Sequence, residues 1–263
     1  MTDIIVCMKQ ILDPEAPVSA FKIDPEAKRA VPPKGTPPVL NPNDENALEA
    51  ALRIKDTQPT KITVISMGRQ LARPVVKKSL AVGANELVLL EDDAFEDLDS
   101  YSAAYILAAA IKKLGKYDLI LCGRQAADTD AGQVGSGIAE ILGIPSITVA
   151  QKVEIGDGKV RVERVVSDGY EVIETSIPAL VTTSNEIGDL RSPTMKAVME
   201  AQKKQFTVWN AQDLEVEPSQ ERRANILKLF IPVHEVKVEI VEGESPEEAA
   251  ENLALKLREN KIL

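Results

Sequence analysis

YDLILCGRQAADTDAGQVGSGIAE, residues 117–140, passes from an apolar run into a loop with two acidic residues among glycines and alanines, then into a helical pattern. An apolar run without polar alternation marks a strand covered on both faces. Such a strand, ending in a glycine-rich loop that opens a helix, is the building unit of parallel α/β sheets, and ligands gather beyond the carboxyl ends of these strands. Three chemistries compete for the loop: a metal site, a catalytic pair of carboxylates, or a backbone cradle for a nucleotide.

Outward from this stretch the same unit recurs. DIIVCM (3–8) precedes a helix at about 43–56, KITVIS (61–66) one at about 71–82, and ELVLL (86–90) one at about 100–114. A helix opening near Gly132 leads to SITVAQ (146–151). This alternation predicts a doubly wound, mostly parallel sheet. After Ala150, KVEIGDGKVRVERVV alternates on both sides of Gly156, Asp157 and Gly158, a hairpin signal. YEVIET adds a strand, and ALVTT, after Pro178, reads as a buried strand returning to the main sheet. The expected division is an α/β nucleotide-binding domain over 1–204 with a β insertion at about 152–176, then a C-terminal arm over 205–263. The arm ends in a helix over SPEEAAENLALKLREN, with Ser245 as N-cap and Glu248 completing a capping box; that arm packs on a core of its own or on a partner.

Composition removes several functions. A net charge of −10, from 41 acidic and 31 basic side chains, repels phosphate backbones and anionic membrane surfaces. Four Phe, four Tyr and one Trp offer no base-stacking platform, so no nucleic-acid partner is expected. Cys7 and Cys122 sit in apolar runs without CxxC spacing and read as small buried hydrophobes rather than a disulfide or zinc site. His234 is the one histidine, which removes Ser/His/Asp and Cys/His catalysis and multi-histidine metal sites. With no charged leader and no apolar run of membrane length, a cytoplasmic protein without membrane insertion is expected. Any chemistry must then come mainly from something bound.

In the loop itself, Asp130 with Gln133 fits an acidic capping box, and Asp128 fits a turn former. No metal-ligand spacing and no GxxxxGK[ST] lysine accompanies them, so no metal is assigned. Gly123, Gly132, Gly135 and Gly137 allow backbone to approach a ligand closely. Asn41 caps the next candidate helix, with Pro42 at its first position and Asp44 complementing its dipole. Asp99, Ser100 and Ser102 stand at another helix start, where they cap or hold a phosphate. Together with Cys7, Met8 and Lys9 after the first strand, and Met67 and Gly68 after the second, these junctions face one sheet edge. Their convergence points to a single nucleotide pocket.

VCMKQ, LNPNDENALE, ITVISMG, LAVGA, DLILCGRQAADTDAGQVG, VERVVSDGYEVIETSIPALVTT and RSPTMKAVMEAQKK together resemble the beta (small) subunit of electron-transfer flavoproteins over nearly the whole chain. The resemblance implies a Rossmann-like, adenine-nucleotide-binding fold without catalytic side chains of its own. It surrounds the nucleotide with Cys7, Met8, Lys9, Asn41, Asp44, Met67, Gly68, Asp99, Ser100 and Ser102. From the opening loop it adds Gly123, Arg124, Gln125, Asp128, Thr129, Asp130, Gly132, Gln133, Val134 and Gly135. The DSYSA segment and the C-terminal tail resemble the electron-bifurcating branch, which implies FAD in this pocket; the simpler branch implies AMP. A bifurcating member takes hydride from NADH and divides electrons between ferredoxin or flavodoxin and the FAD of an alpha subunit. That FAD in turn serves a flavin-dependent dehydrogenase acting on acyl-CoA or hydroxy-acid substrates. RSPTMKAVME resembles the loop that docks the dehydrogenase, with Arg191 and Met195 as docking residues. Ser167, Ser192 and Pro193 depart from the family's usual residues. The rival from another class is an AMP- or ATP-binding regulatory module without electron transfer.

Overall fold

The computed structural model describes residues 1–17, 20–232 and 238–263; His234 lies outside them. It divides into two compact units, Met1–Leu227 and Lys228–Leu263.

In the first unit, β1 (Thr2–Cys7) leads through β2 (Gln10–Ile11), β3 (Lys22–Asp24), β4 (Arg29–Val31) and β5 (Val39–Leu40) to α1 (Pro42–Thr57). The short strands form two small antiparallel pairs, β2 with β5 and β3 with β4. Next come β6 (Thr60–Gly68), α2 (Arg73–Val76), α3 (Lys78–Val82), β7 (Glu86–Glu91), α4 (Ser100–Leu114), β8 (Leu119–Gly123) and α5 (Val134–Leu142). The chain then forms β9 (Ser146–Gly156), β10 (Lys159–Val166), β11 (Gly169–Ser176) and β12 (Ala179–Thr183). It continues through α6 (Met195–Lys203), β13 (Thr207–Trp209) and α7 (Pro218–Glu221).

Nine strands make one sheet in the order β11-β10-β9-β12-β8-β1-β6-β7-β13. From β9 to β7 the core pairings are parallel, as the unbroken apolar runs predict. β1 lies centrally: the chain moves to one side of it for β6 and β7 and to the other for β8. The boundary between β1 and β8 is therefore the topological switch point, where ligands settle in such sheets. Alternating side chains of β1 build two cores. Ile4 and Val6 pack with α1 and α3 residues such as Leu48 and Leu80 on one face, while Ile5 and Cys7 pack with Ile106 and Ile138 of α4 and α5 on the other.

Three details differ from the sequence reading. The helix expected over 71–82 is broken at Lys77 into α2 and α3, and the Lys77 ammonium donates to the Gln202 carbonyl at 2.7 Å. β9 is one eleven-residue strand that starts parallel to β12 and ends antiparallel to β10, so the hairpin extends the main sheet. The first unit closes at Leu227 rather than at residue 204, because β13 pairs with β7 as the ninth strand and Leu214 and Val216 enter the core.

The second unit carries α8 (Pro246–Glu259). Its predicted cap is present: Ser245 Oγ accepts the Glu248 N–H at 3.2 Å. The Glu248 carboxylate returns to the Glu244 N–H at 2.7 Å, one residue earlier than in the usual capping box.

Candidate functional site

At the carboxyl ends of β1, β6 and β8 lies an open cavity of about 1270 Å³. Every candidate nucleotide-binding residue lines it except Ser102 and Asp130. Ser102 is fully buried behind the first turn of α4.

Asp44 joins the cavity walls. α1 carries its carboxylate between two strand ends, where it accepts the Lys9 N–H at 2.7 Å and the Gly123 N–H at 3.0 Å. Burial outweighs these hydrogen bonds and pushes its carboxyl up to about 6. Asn41 occupies the N-cap position of α1 but makes no capping hydrogen bond. Its amide instead donates to the Gln125 carbonyl at 2.8 Å and accepts the Ala127 N–H at 3.1 Å, which corrects its expected capping role and makes it a clamp on the loop. Lys9 Nζ donates to both Asp128 oxygens, at 2.8 and 2.7 Å. Three segments distant in sequence are thus stitched around one space.

The acidic capping box does not form. Asp130 takes a left-handed conformation (φ 51°) and accepts from Gln125 Nε2 at 2.7 Å. α5 starts at Val134, with Gln133 in the N-cap position and no side-chain cap. Among the described residues, no side chain claims its first-turn amides, the arrangement that suits an anion. Asp99 does cap α4, accepting Ser102 N at 2.8 Å and Ser102 Oγ at 2.7 Å. Its other oxygen accepts the Arg223 and Ala224 amides, both at 2.6 Å. Burial pulls its carboxyl upward, but these donors prevail and hold it down at about 2.

The glycines serve protein packing as much as ligand access. A Cβ on Gly123 would lie 2.5 Å from the Asn43 carbonyl carbon and from Asp44 Oδ1; on Gly135 it would meet Thr182 Cγ2 at 2.7 Å, and on Gly137 Ala104 Cβ at 2.9 Å. Gly132, at φ +63°, is the loop glycine whose conformation itself favours glycine. Cys7 and Cys122 are register partners, both buried and unpaired by any disulfide.

Sequence reasoning missed Arg69, Asp93, Glu96 and the segment 222–226, all at the cavity. Arg69 is bound to Asp93 and Glu96 at 2.7 and 2.9 Å. The candidate docking pair also separates. The Arg191 guanidinium grips Glu49 at 3.0 Å and Asp56 at 2.8 Å, whereas Met195 and Met199 are 79% and 63% exposed at the start of α6. Among the described residues, no cluster of three or more metal-ligating side chains occurs and no helix is long and apolar enough to cross a membrane.

A parallel sheet with stitched loops around a cavity at its switch point defines an α/β protein whose ligand site lies where such sheets bind their ligands. Residues 34–214 match the family model described as electron transfer flavoprotein domain. The chain is 39% identical over 265 residues to the caffeyl-CoA reductase-Etf complex subunit CarD of Acetobacterium woodii, covering 99% of each. It is 43% identical over 219 residues to the electron transfer flavoprotein subunit beta of Thermoanaerobacterium thermosaccharolyticum, covering 83% of this chain and 82% of the relative. It is 33% identical over 271 residues to the acryloyl-CoA reductase electron transfer subunit gamma of Anaerotignum propionicum, covering 99% of each. The chain belongs to the electron-transfer flavoprotein family, as a beta subunit.

Proposed function

We propose that the chain is the beta subunit of an electron-bifurcating flavoprotein and that its cavity holds FAD. The observation that carries this reading is the cavity's reach: one space extends from loop 123–135 to Asp99 and Ser100 at the head of α4. At about 1270 Å³ it exceeds the ~300–1,000 Å³ usual for small-molecule pockets and leaves room beyond a mononucleotide. The donors fit a phosphate-bearing ligand, because the uncapped α5 amides and the cation Arg124 meet the same space.

When bound, the flavin supplies hydride acceptance and one-electron transfer. The chain's residues supply placement. Asp44 and Asn41 hold the Lys9 and Gly123–Ala127 backbones in register, the α5 amides and Arg124 take phosphate charge, and Met8, Met67 and Val134 offer apolar walls. Electrons would enter from NADH and leave to ferredoxin or flavodoxin and, through the FAD of the alpha subunit, to a partner dehydrogenase. Two relatives aligned over their full length bear the names of caffeyl-CoA and acryloyl-CoA reductase complexes, which supports a partner of the acyl-CoA class. We assign dehydrogenase docking to Met195 and Met199, packing on the alpha subunit to the C-terminal unit, and the cytoplasm as location.

The test is a cofactor count on the chain co-purified with its alpha subunit. Two FAD per heterodimer supports the reading. One FAD with one AMP would leave a non-bifurcating electron-transfer flavoprotein, and AMP without any flavin would leave a regulatory module.

A further inference from the structure

We infer that the strap of residues 222–226 is a specificity wall of the cavity, selecting a nucleotide with two phosphates, and that Arg222 takes the second phosphate. The inference deepens the FAD reading and rests on it for the identity of the occupant.

Arg222, Ala224, Asn225 and Ile226 line the cavity although they lie beyond residues 34–214, where the family match ends. The strap's backbone is held in place. Asp99, whose Oδ1 closes the first turn of α4, accepts the Arg223 and Ala224 amides through Oδ2. The Arg223 guanidinium lies 4.8 Å from the centre of the Tyr101 ring, and Arg222 Nε donates to the Ala224 carbonyl at 3.0 Å.

Charge accounting singles out Arg222. Of the other cavity cations, Lys9 is paired with Asp128, and Arg69 with Asp93 and Glu96. Arg222 and Arg124 have no carboxylate within ion-pair distance among the described residues. Arg124 is on the loop that follows β8, and Arg222 is on the strap tied to the head of α4. Two arginines without an ion pair, both lining one cavity, suit two phosphates, because a planar guanidinium fork matches phosphate oxygens.

The experiment titrates the full chain, stripped of bound nucleotide, with AMP, ADP and FAD by calorimetry. Wild type is expected to bind ADP at least tenfold more tightly than AMP. Arg222→Gln should lower ADP and FAD affinity by about 10- to 100-fold, the range for a charged hydrogen bond, with AMP affinity unchanged within twofold. Arg222→Lys should recover part of the loss. Asp99→Asn keeps a capping oxygen but weakens the hold on the strap, and should show the same selective loss. Equal weakening of AMP and ADP by Arg222→Gln, or no effect on either, overturns the inference. If wild type prefers ADP through Arg222 yet takes no FAD, the FAD reading fails and the strap stands. Tight FAD binding by both wild type and Arg222→Gln keeps the FAD reading and removes the strap.

Discussion

Replacing Asp44 with asparagine should change how stability depends on pH between about 4 and 7. In the folded chain the carboxyl is raised from 3.8 to about 6, chiefly by burial. A raised carboxylate binds its proton more tightly when folded than when unfolded. Folding is therefore opposed as pH climbs from the unfolded value to the folded one, and the full penalty is present above it. At roughly 1.4 kcal/mol per pH unit, the interval is worth about 3 kcal/mol. The substituted side chain carries no charge and does not titrate. It also presents one oxygen and one amide nitrogen to two N–H donors, so one buried amide loses its partner at a further ~1–3 kcal/mol, independent of pH. The wild-type-minus-variant difference in unfolding free energy, from urea titrations at pH 4 to 8, isolates this group from the other carboxylates. The difference should swing by roughly 2.4 kcal/mol in favour of the variant as pH rises from 4 to 7, the rest of the penalty lying outside that range. A flat difference curve would refute the reasoning, since it would mean that the two N–H donors hold Asp44 at an ordinary pKa despite its burial.

Gly123→Ala forces a Cβ to within 2.5 Å of the α1 backbone, and urea unfolding should show destabilisation of about 1–3 kcal/mol or more. Arg191→Met leaves the buried Glu49 carboxylate with only the Arg53 Nε contact at 3.3 Å and should lower stability by about 2 kcal/mol, with nucleotide content unchanged by absorbance. Asp128→Ala and Gln133→Ala should weaken nucleotide binding in calorimetry while costing little stability, because the Lys9–Asp128 pair is partly exposed and worth about 0–1 kcal/mol; unchanged affinity in both would return them to loop-shaping roles. Met195→Ala should slow electron delivery to the partner dehydrogenase with flavin content intact, and normal turnover would remove this methionine from docking.

The sheet was legible because buried parallel strands leave unbroken apolar runs such as YDLILC and KITVIS, and the strand–loop–helix order places their loops at one edge. What a side chain does within a loop was less legible. Asn41 and Asp130 both stand where sequence predicts caps, yet both turn to Gln125 and its neighbours; which residue takes positive φ depends on contacts across the fold. Gly123 looked like access for a ligand, but the atoms beside it belong to α1. The strap had no readable signal at all. It is held by its own backbone amides, which every residue type except proline carries alike.

α1 shows why the cavity and the segment leading to α6 are built together. Asn41 at its head and Asp44 in its first turn fix the Lys9 and Gly123–Ala127 backbones. Further along, Asn46 donates to the Gly188 carbonyl at 2.8 Å, and Glu49 grips both the backbone and the guanidinium of Arg191. Glu49 is almost fully buried, yet its carboxyl is held below the usual carboxylate range: burial raises it, and the Arg191 donors more than offset that. A buried carboxylate needs such partners, and Arg191, with Arg53 Nε at 3.3 Å, supplies them whether or not a dehydrogenase ever touches this segment. Arg191 therefore fixes the segment leading to α6 by holding it to α1, while Met195 and Met199, four residues apart on α6, stay exposed.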